Sequence, residues 1–245
     1  MKAIILAAGR GSRMGAATGG LPKCLARIGG DSLLGHLLGN LQKAGFGIGD
    51  IGIVTGYMRE KIAVDGAAYF HNPDWEKTNM FYSLLRAGEW LERETCLVCY
   101  SDIYAGPCTI ELLKNAEGDV AVTSYLDFLR LWRLRFEDPL DDLETFRHEG
   151  RRLVEIGNRP ASLDEVRGQF MGLVRFTPKG WGKVLEAVKV AMPKPVDKID
   201  MTGLLQHLVT LGHDVEVLDT DDLWLEVDSQ NDIKVYEDFC KLLPS

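Results

Sequence analysis

The sequence has no run of about 18 apolar residues, so no segment reads as a membrane span. Its apolar N-terminus, Met1 to Gly9, is too short for a secretory signal, and glycines and arginines follow at once. Positive charge is not in excess: 36 acidic residues face 28 basic ones, a net charge of -8. A nucleic-acid surface needs clustered cations, so that class is disfavoured, while a local basic site for one anionic small molecule stays open. Cysteine is sparse, with five in 245 residues, odd in number and irregularly spaced. Such usage suits a reducing compartment, and the expectation is a cytoplasmic protein. Cys96 and Cys99 do form a C-x-x-C, but it lies in the apolar run Cys96-Leu97-Val98-Cys99-Tyr100 and has no second copy. A buried strand is the better reading than redox or zinc chemistry. His36, His71, His148, His207 and His213 show no ligand spacing, and no Ser/His/Asp arrangement is evident. Repeats, low-complexity stretches and linkers are also missing.

What is present is an ordinary globular composition, 46% hydrophobic and 26% charged, long enough for one large α/β domain. Residues 2–6 read as a buried first strand, with further strands over 51–55, 95–100, 120–124, 169–176, 215–218 and 223–227. Leucines at 33, 34, 37, 38 and 41 give 32–44 the spacing of an amphipathic helix, stopped by Gly45. Further helices are expected over 78–90, 180–191, 201–211 and 231–243. This alternation predicts an α/β, Rossmann-like, mostly parallel central sheet with helices on both faces. The stretch 131–156 is charge-rich and reads as short strands or loops. One domain spanning 1–245, with about 125–175 forming an inserted acceptor-binding region, is the simplest account.

The densest motif is Leu6-Ala7-Ala8-Gly9-Arg10-Gly11-Ser12-Arg13-Met14-Gly15, followed by Leu21-Pro22-Lys23. Small residues after a strand let backbone N–H groups approach an anion, and Arg10, Arg13 and Lys23 add positive charge there. It is not a P-loop, because no lysine stands in the required register. It is not a dinucleotide fingerprint either, because Gly9, Gly11 and Gly15 are spaced one residue too long. Two carboxylate-bearing strand ends complement it. Asp102 follows the strand ending Tyr100-Ser101, and Trp224-Leu225-Glu226-Val227-Asp228 carries alternating acids that share one strand face. Converging aspartates at strand ends suit Mg²⁺, a hard ion that takes oxygen ligands.

The L-A-A-G-x-G-x-R-M motif with its following P-K resembles the nucleotidyltransferases that activate sugar phosphates, phosphocholine and phosphonates. The resemblance implies a loop of Leu6, Ala7, Ala8, Gly9 and Gly11 around NTP phosphates, with Ser101 nearby. It implies that Arg13 and Lys23 stabilise the triphosphate during attack, and that Asp102 and Asp228 bind the catalytic Mg²⁺. The segment Asn72-Pro73-Asp74-Trp75 through Thr78-Asn79 to Ser83-Leu84 looks like one in the phosphocholine and phosphonate cytidylyltransferases. On that likeness CTP is the expected donor, and Asn79 and Ser83 are expected near the nucleotide.

Trp132 matches an aromatic that, in the choline enzymes, helps enclose the trimethylammonium. Read as a strand, Leu129 to Leu140 would carry Arg130, Arg133 and Arg135 around it, either as a solvated face or as an anion-binding face for the acceptor. Asp200 falls where those enzymes place an acid, and Met201 stands where they place a second aromatic. The expected acceptor set is therefore Trp132, Arg133, Asp200 and Glu226. A small zwitterionic or anionic phosphate or phosphonate, such as 2-aminoethylphosphonate, is expected over phosphocholine. A homodimer is compatible with these features. Other readings are a nucleotidyltransferase using a different NTP or a sugar 1-phosphate, a glycosyltransferase, and a non-catalytic nucleotide-binding module.

Overall fold

A computed structural model of the chain describes residues 1–11, 14, 20–190, 192 and 194–236. Its strands are β1 (Lys2–Ala7), β2 (Arg27–Ile28), β3 (Asp31–Ser32), β4 (Ile51–Thr55), β5 (Ala68–His71), β6 (Cys96–Tyr100) and β7 (Ile103–Ala105). They continue with β8 (Val120–Tyr125), β9 (Phe146–Glu149), β10 (Arg152–Ile156), β11 (Gln169–Phe176), β12 (Glu216–Thr220) and β13 (Trp224–Glu226). The helices are α1 (Leu33–Lys43), α2 (Met80–Leu84), α3 (Gly88–Arg93), α4 (Pro107–Lys114), α5 (Phe128–Arg135), α6 (Pro178–Ala187), α7 (Met201–Thr210) and α8 (Gln230–Val235). Nine strands form one sheet in the order β5-β4-β1-β6-β11-β8-β12-β10-β9. β10 and β11 run against the others, so the sheet is mixed and mostly of one direction. No helix among the described residues is long and apolar enough to cross a membrane.

The interior of the sheet is buried on both faces, as continuous apolar strands require. Along β1 the side chains alternate: Ala3, Ile5 and Ala7 join the layer containing α1, α4 and α5. Ile4 and Leu6 join the layer containing α2, α3, α6 and α7. The two cysteines of the C-x-x-C are divided in the same way, Cys99 to the first layer and Cys96 to the second. They cannot pair across the sheet, and burial pushes both thiols up to about 12.

Two expectations change. The helix expected over 78–90 is broken into α2, a 3₁₀ turn at Leu85–Ala87, and α3. The region read as strand or loop after residue 128 begins with α5, a helix whose buried face is Phe128, Leu131, Trp132 and Arg135. That i, i+3, i+4, i+7 spacing is helical, and burying Trp132 against Trp224 outweighs the strand-like alternation of leucine and arginine. Of the closing helix expected over 231–243, α8 falls within the described residues; 237–245 lie outside them.

Candidate active site

β1 runs between β4 and β6, and all three are parallel. Their carboxyl ends therefore open on one edge, where the loop after Ala8 and the bend at Ser101 and Asp102 emerge. Leu6, Ala7 and Ala8 are buried at the end of β1, whereas Gly9 is exposed. Gly11 has φ +70°, and a Cβ there would stand 2.6 Å from the Lys23 Cβ. Glycine is thus needed twice at this position: for the left-handed backbone and for the close approach of the Lys23 side chain. Arg10 is exposed, its guanidinium 5.6 Å from the Tyr57 ring centroid. Arg13 lies outside the described residues.

Asp228 comes to Asp102 through a small two-stranded sheet. β13 pairs antiparallel with β7, which starts one residue after Asp102, and the Val227 N–H donates to the Asp102 carbonyl at 3.0 Å. The result is a cation position between two carboxylates. Lys23 Nζ donates to Asp102 Oδ2 at 2.5 Å and to Asp228 Oδ1 at 2.6 Å. Burial alone would lower the Lys23 pKa, but the two aspartates more than reverse this and hold it above its ordinary value. The ammonium shows where a hard cation fits. Two monodentate carboxylates, with remaining positions open to water or phosphate oxygens, are a donor set suited to Mg²⁺. No group of three or more His, Cys, Asp or Glu residues among those described forms a closed metal cage.

Behind Asp228 lies Arg135, its side chain 1% exposed. It donates from Nη1 to Glu226 Oε2 at 3.1 Å, from Nη2 to Asp228 Oδ2 at 3.2 Å and from Nε to Asp232 Oδ1 at 3.1 Å. Burial first, then Asp228, pushes the Glu226 carboxyl up to about 8, against the pull of Arg135. The carboxylates face a cleft of about 920 Å³, its lining including Lys23, Asp102, Glu226 and Asp228. Asp142, Glu144, Asn158, Gln169, Lys194 and Asp200 line it as well. Burial, then Asp200 and Asp142, raises the Glu144 pKa, so both aspartates are close enough to act on Glu144.

Residues 3–162 match the MobA-like NTP transferase domain. The chain belongs to that family. It is accordingly a nucleotidyltransferase, with the nucleotide-diphospho-sugar transferase fold. It is 28% identical to the CTP:phosphoglutamine cytidylyltransferase of Campylobacter jejuni, over 96% of this chain and 98% of that one. It is 29% identical to the CMP-5'-(3-aminopropyl)phosphonate synthase of Streptomyces rubellomurinus, over 95% of this chain but 37% of that longer protein. Among solved structures, the inositol-1-phosphate CTP transferase of T. maritima superposes with a TM-score of 0.73 at 20% identity, covering 100% of this chain and 98% of that one.

Within this nucleotidyltransferase frame the remaining expected residues separate. Asp200 lines the cleft, caps α7 by accepting from the Gly203 N–H at 2.7 Å, and pairs with Lys194 Nζ at 2.9 Å. Ser101 is buried beside Asp102. Asn79 caps α2, accepting from the Met80 N–H at 2.8 Å. Ser83 is buried and accepts from Asn72 Nδ2 at 3.0 Å, and neither Asn79 nor Ser83 lines the cleft. Trp132 lines the cleft, but its ring is engaged by Trp224, stacked at 6.0 Å, and by the Arg135 guanidinium at 5.1 Å. Met201 is fully buried in the core and forms no wall.

Arg133 must be corrected: on a helix rather than a strand it is exposed and does not line the cleft, and neither does Arg130. Of the two readings open for these arginines, the anion-binding face is not built, and Arg130 and Arg133 lie on an exposed face. Sequence reasoning missed Arg135 as a partner of the carboxylates, and also Asp142, Glu144, Asn158 and Gln169. Arg135 was signalled by the helical spacing of α5. The others sit in turns and at strand starts, where no periodicity marks them.

Proposed function

We propose that the protein is a Mg²⁺-dependent cytidylyltransferase that moves CMP from CTP to a small phosphate or phosphonate acceptor carrying a primary amine. The observation that carries this reading is the convergence of Asp102 and Asp228 on one cation position beside the glycine loop. In this reading Leu6, Ala7, Ala8, Gly9 and Gly11 line the nucleotide's path, with Asn79, Ser83 and Ser101 supporting its walls. Arg13 and Lys23 bring positive charge to the triphosphate. Asp102 and Asp228 would hold the divalent cation, which supplies charge neutralisation for the phosphates when bound.

The acceptor's own phosphoryl oxygen, anionic near neutral pH, attacks the α-phosphorus. The bond from the α-phosphorus to the bridging oxygen breaks, and pyrophosphate leaves with that oxygen and the electron pair. No strong general base is required. The chain's work is to hold nucleophile and phosphorus in line and to offset repulsion between anions. Names of relatives support CTP as donor: those quoted above use CTP or make a CMP conjugate.

The other acidic side chains lining the cleft support the amine. Asp142, Glu144 and Asp200 give the cleft negative character, with Lys194 beside Asp200. Residues of 125–175 supply much of this wall and form the acceptor-binding region in this reading, together with Trp132, Asp200 and Glu226. A primary ammonium can donate hydrogen bonds to such carboxylates, and a trimethylammonium cannot. The choline alternative needs an aromatic enclosure, which Trp132, already packed against Trp224, and the buried Met201 do not offer.

The test supplies each of CTP, UTP, GTP and ATP with Mg²⁺ and equal concentrations of 2-aminoethylphosphonate and phosphocholine, followed by mass detection of the conjugates. The expected main product is the cytidylyl aminophosphonate. Predominance of CDP-choline would refute the acceptor reading, and preference for another NTP would refute the donor.

A further inference from the structure

On the reading of Asp102 and Asp228 as the cation carboxylates, we propose that Arg135 and Asp232 are positioning residues that aim Asp228 at the metal. Neither lines the cleft. Arg135 ends α5, while Glu226, Asp228 and Asp232 lie in the segment running from β13 into α8, more than ninety positions away in sequence. Its three donating nitrogens each take a different carboxylate, at 3.1–3.2 Å. The rigid guanidinium fork aims its N–H groups at three acids in fixed directions within one plane, a spread that a compact ammonium does not reproduce. Asp228, Glu226 and Asp232, all within reach of one guanidinium, would otherwise repel one another at short range.

The geometry divides the two oxygens of Asp228. Oδ2 accepts from Arg135 at 3.2 Å, while Oδ1 faces the cation position, 2.6 Å from Lys23 Nζ. Asp232 fixes the backbone of the same residue. Its Oδ2 accepts from the N–H groups of Asp228 and Ser229, each at 2.8 Å, and its Oδ1 accepts from Arg135 Nε at 3.1 Å. Asp232 and Ser229 also form a capping box that starts α8, so the anchor is set by the helix itself. Both the main chain and the side chain of Asp228 are thus held from one buried point. Outer partners of this kind orient a ligand and set metal affinity without touching the metal.

The test is Mn²⁺ binding to the purified chain without nucleotide, followed by electron paramagnetic resonance. It compares the wild type with Arg135→Lys, Asp232→Asn and Asp102→Asn, each read well below its own unfolding temperature. The metal dependence of turnover is measured alongside. In the folded Arg135→Lys and Asp232→Asn variants the Mn²⁺ dissociation constant should rise about tenfold or more. The metal concentration for half-maximal turnover should rise in step, and excess metal should recover most of the rate with KM for CTP little changed. A residue that merely ties α5 to α8 would lower thermal stability and leave these metal readouts alone. Wild-type Mn²⁺ affinity in both folded variants, beside lost binding in Asp102→Asn, would overturn the roles of Arg135 and Asp232 alone. Failure of the wild type to bind Mn²⁺ would overturn the carboxylate-pair reading and this proposal with it.

Discussion

Replacing Lys23 by methionine removes the charge between two carboxylates while keeping the chain's bulk. The ammonium sits 2.5 Å from Asp102 and 2.6 Å from Asp228, with 12% of its side chain exposed. Breaking a fully buried ion pair typically costs about 3–5 kcal/mol. An exposed pair is worth about 0–1 kcal/mol. This cluster lies between those limits, because the aspartate side chains are 23% and 15% exposed and Arg135 still neutralises Asp228. A loss of about 2 kcal/mol is expected on that interpolation. In a chain of this size about 1 kcal/mol moves Tm by about 2–4 °C, so the midpoint in EDTA should fall by about 4–8 °C.

A divalent cation can restore the missing charge. Added Mg²⁺ should therefore raise the Tm of Lys23→Met more than that of the wild type. Turnover should stay low even at saturating metal, since the lysine's contribution to transition-state charge, about 2.7–4 kcal/mol, is not replaced. Differential scanning fluorimetry in EDTA and in Mg²⁺ supplies the first two readings. An unchanged Tm in EDTA, or equal Mg²⁺ responses in the two proteins, would refute the reasoning.

Gly11→Ala should cost about 1–2 kcal/mol from the left-handed backbone alone, and should also raise KM for CTP by displacing Lys23; urea unfolding and steady-state kinetics check the two effects. Glu144→Gln should raise the acceptor KM while leaving the CTP KM near wild type, whereas Arg133→Ala should change neither, and initial rates with each substrate varied separate them. Asp119 is bound by Lys183 Nζ at 2.7 Å, by Lys179 and by the Thr177 hydroxyl, and these, Lys183 first, lower its carboxyl to about 2 from an ordinary 3.8. A depressed carboxylate stabilises the fold above its unfolded pKa and loses that contribution as pH falls through its folded pKa. The stability advantage of wild type over Asp119→Asn should therefore be full above about pH 4 and vanish towards pH 2, as urea titrations across that range would show.

Much of the fold was legible because its central strands and amphipathic helices carry strong periods. β11 was expected at the bounds it has, 169–176, and α1 was marked by its leucine spacing and capped by Ser32. α5 reads as a strand from sequence because Leu129-Arg130-Leu131-Trp132-Arg133-Leu134-Arg135 alternates almost as a strand does. What decides for helix is tertiary: Trp132 finds Trp224, and Arg135 finds three acids from the end of the chain. A strand would set Arg133 towards the site, whereas the helix turns Arg133 outward and Arg135 onto the acids. Asp102, Asp228 and Lys23 could be picked out because strand ends and glycine loops mark them locally. Their meeting depends on β13 pairing with β7, a contact that no local pattern announces. Asp142 and Glu144 read only as part of the charge-rich stretch 131–156, and nothing in the sequence aims such a stretch at a cleft.

The most direct measurement of the central claim follows CTP, Mg²⁺ and 2-aminoethylphosphonate by phosphorus NMR, with the wild type, Asp102→Asn and Asp228→Asn in parallel. The wild type should form one pyrophosphate per cytidylyl conjugate. Each aspartate variant, folded as judged by circular dichroism, should be slower by orders of magnitude. Near-normal Mg²⁺-dependent rates in both variants, or no conjugate from the wild type with any amine-bearing phosphate or phosphonate, would contradict the account.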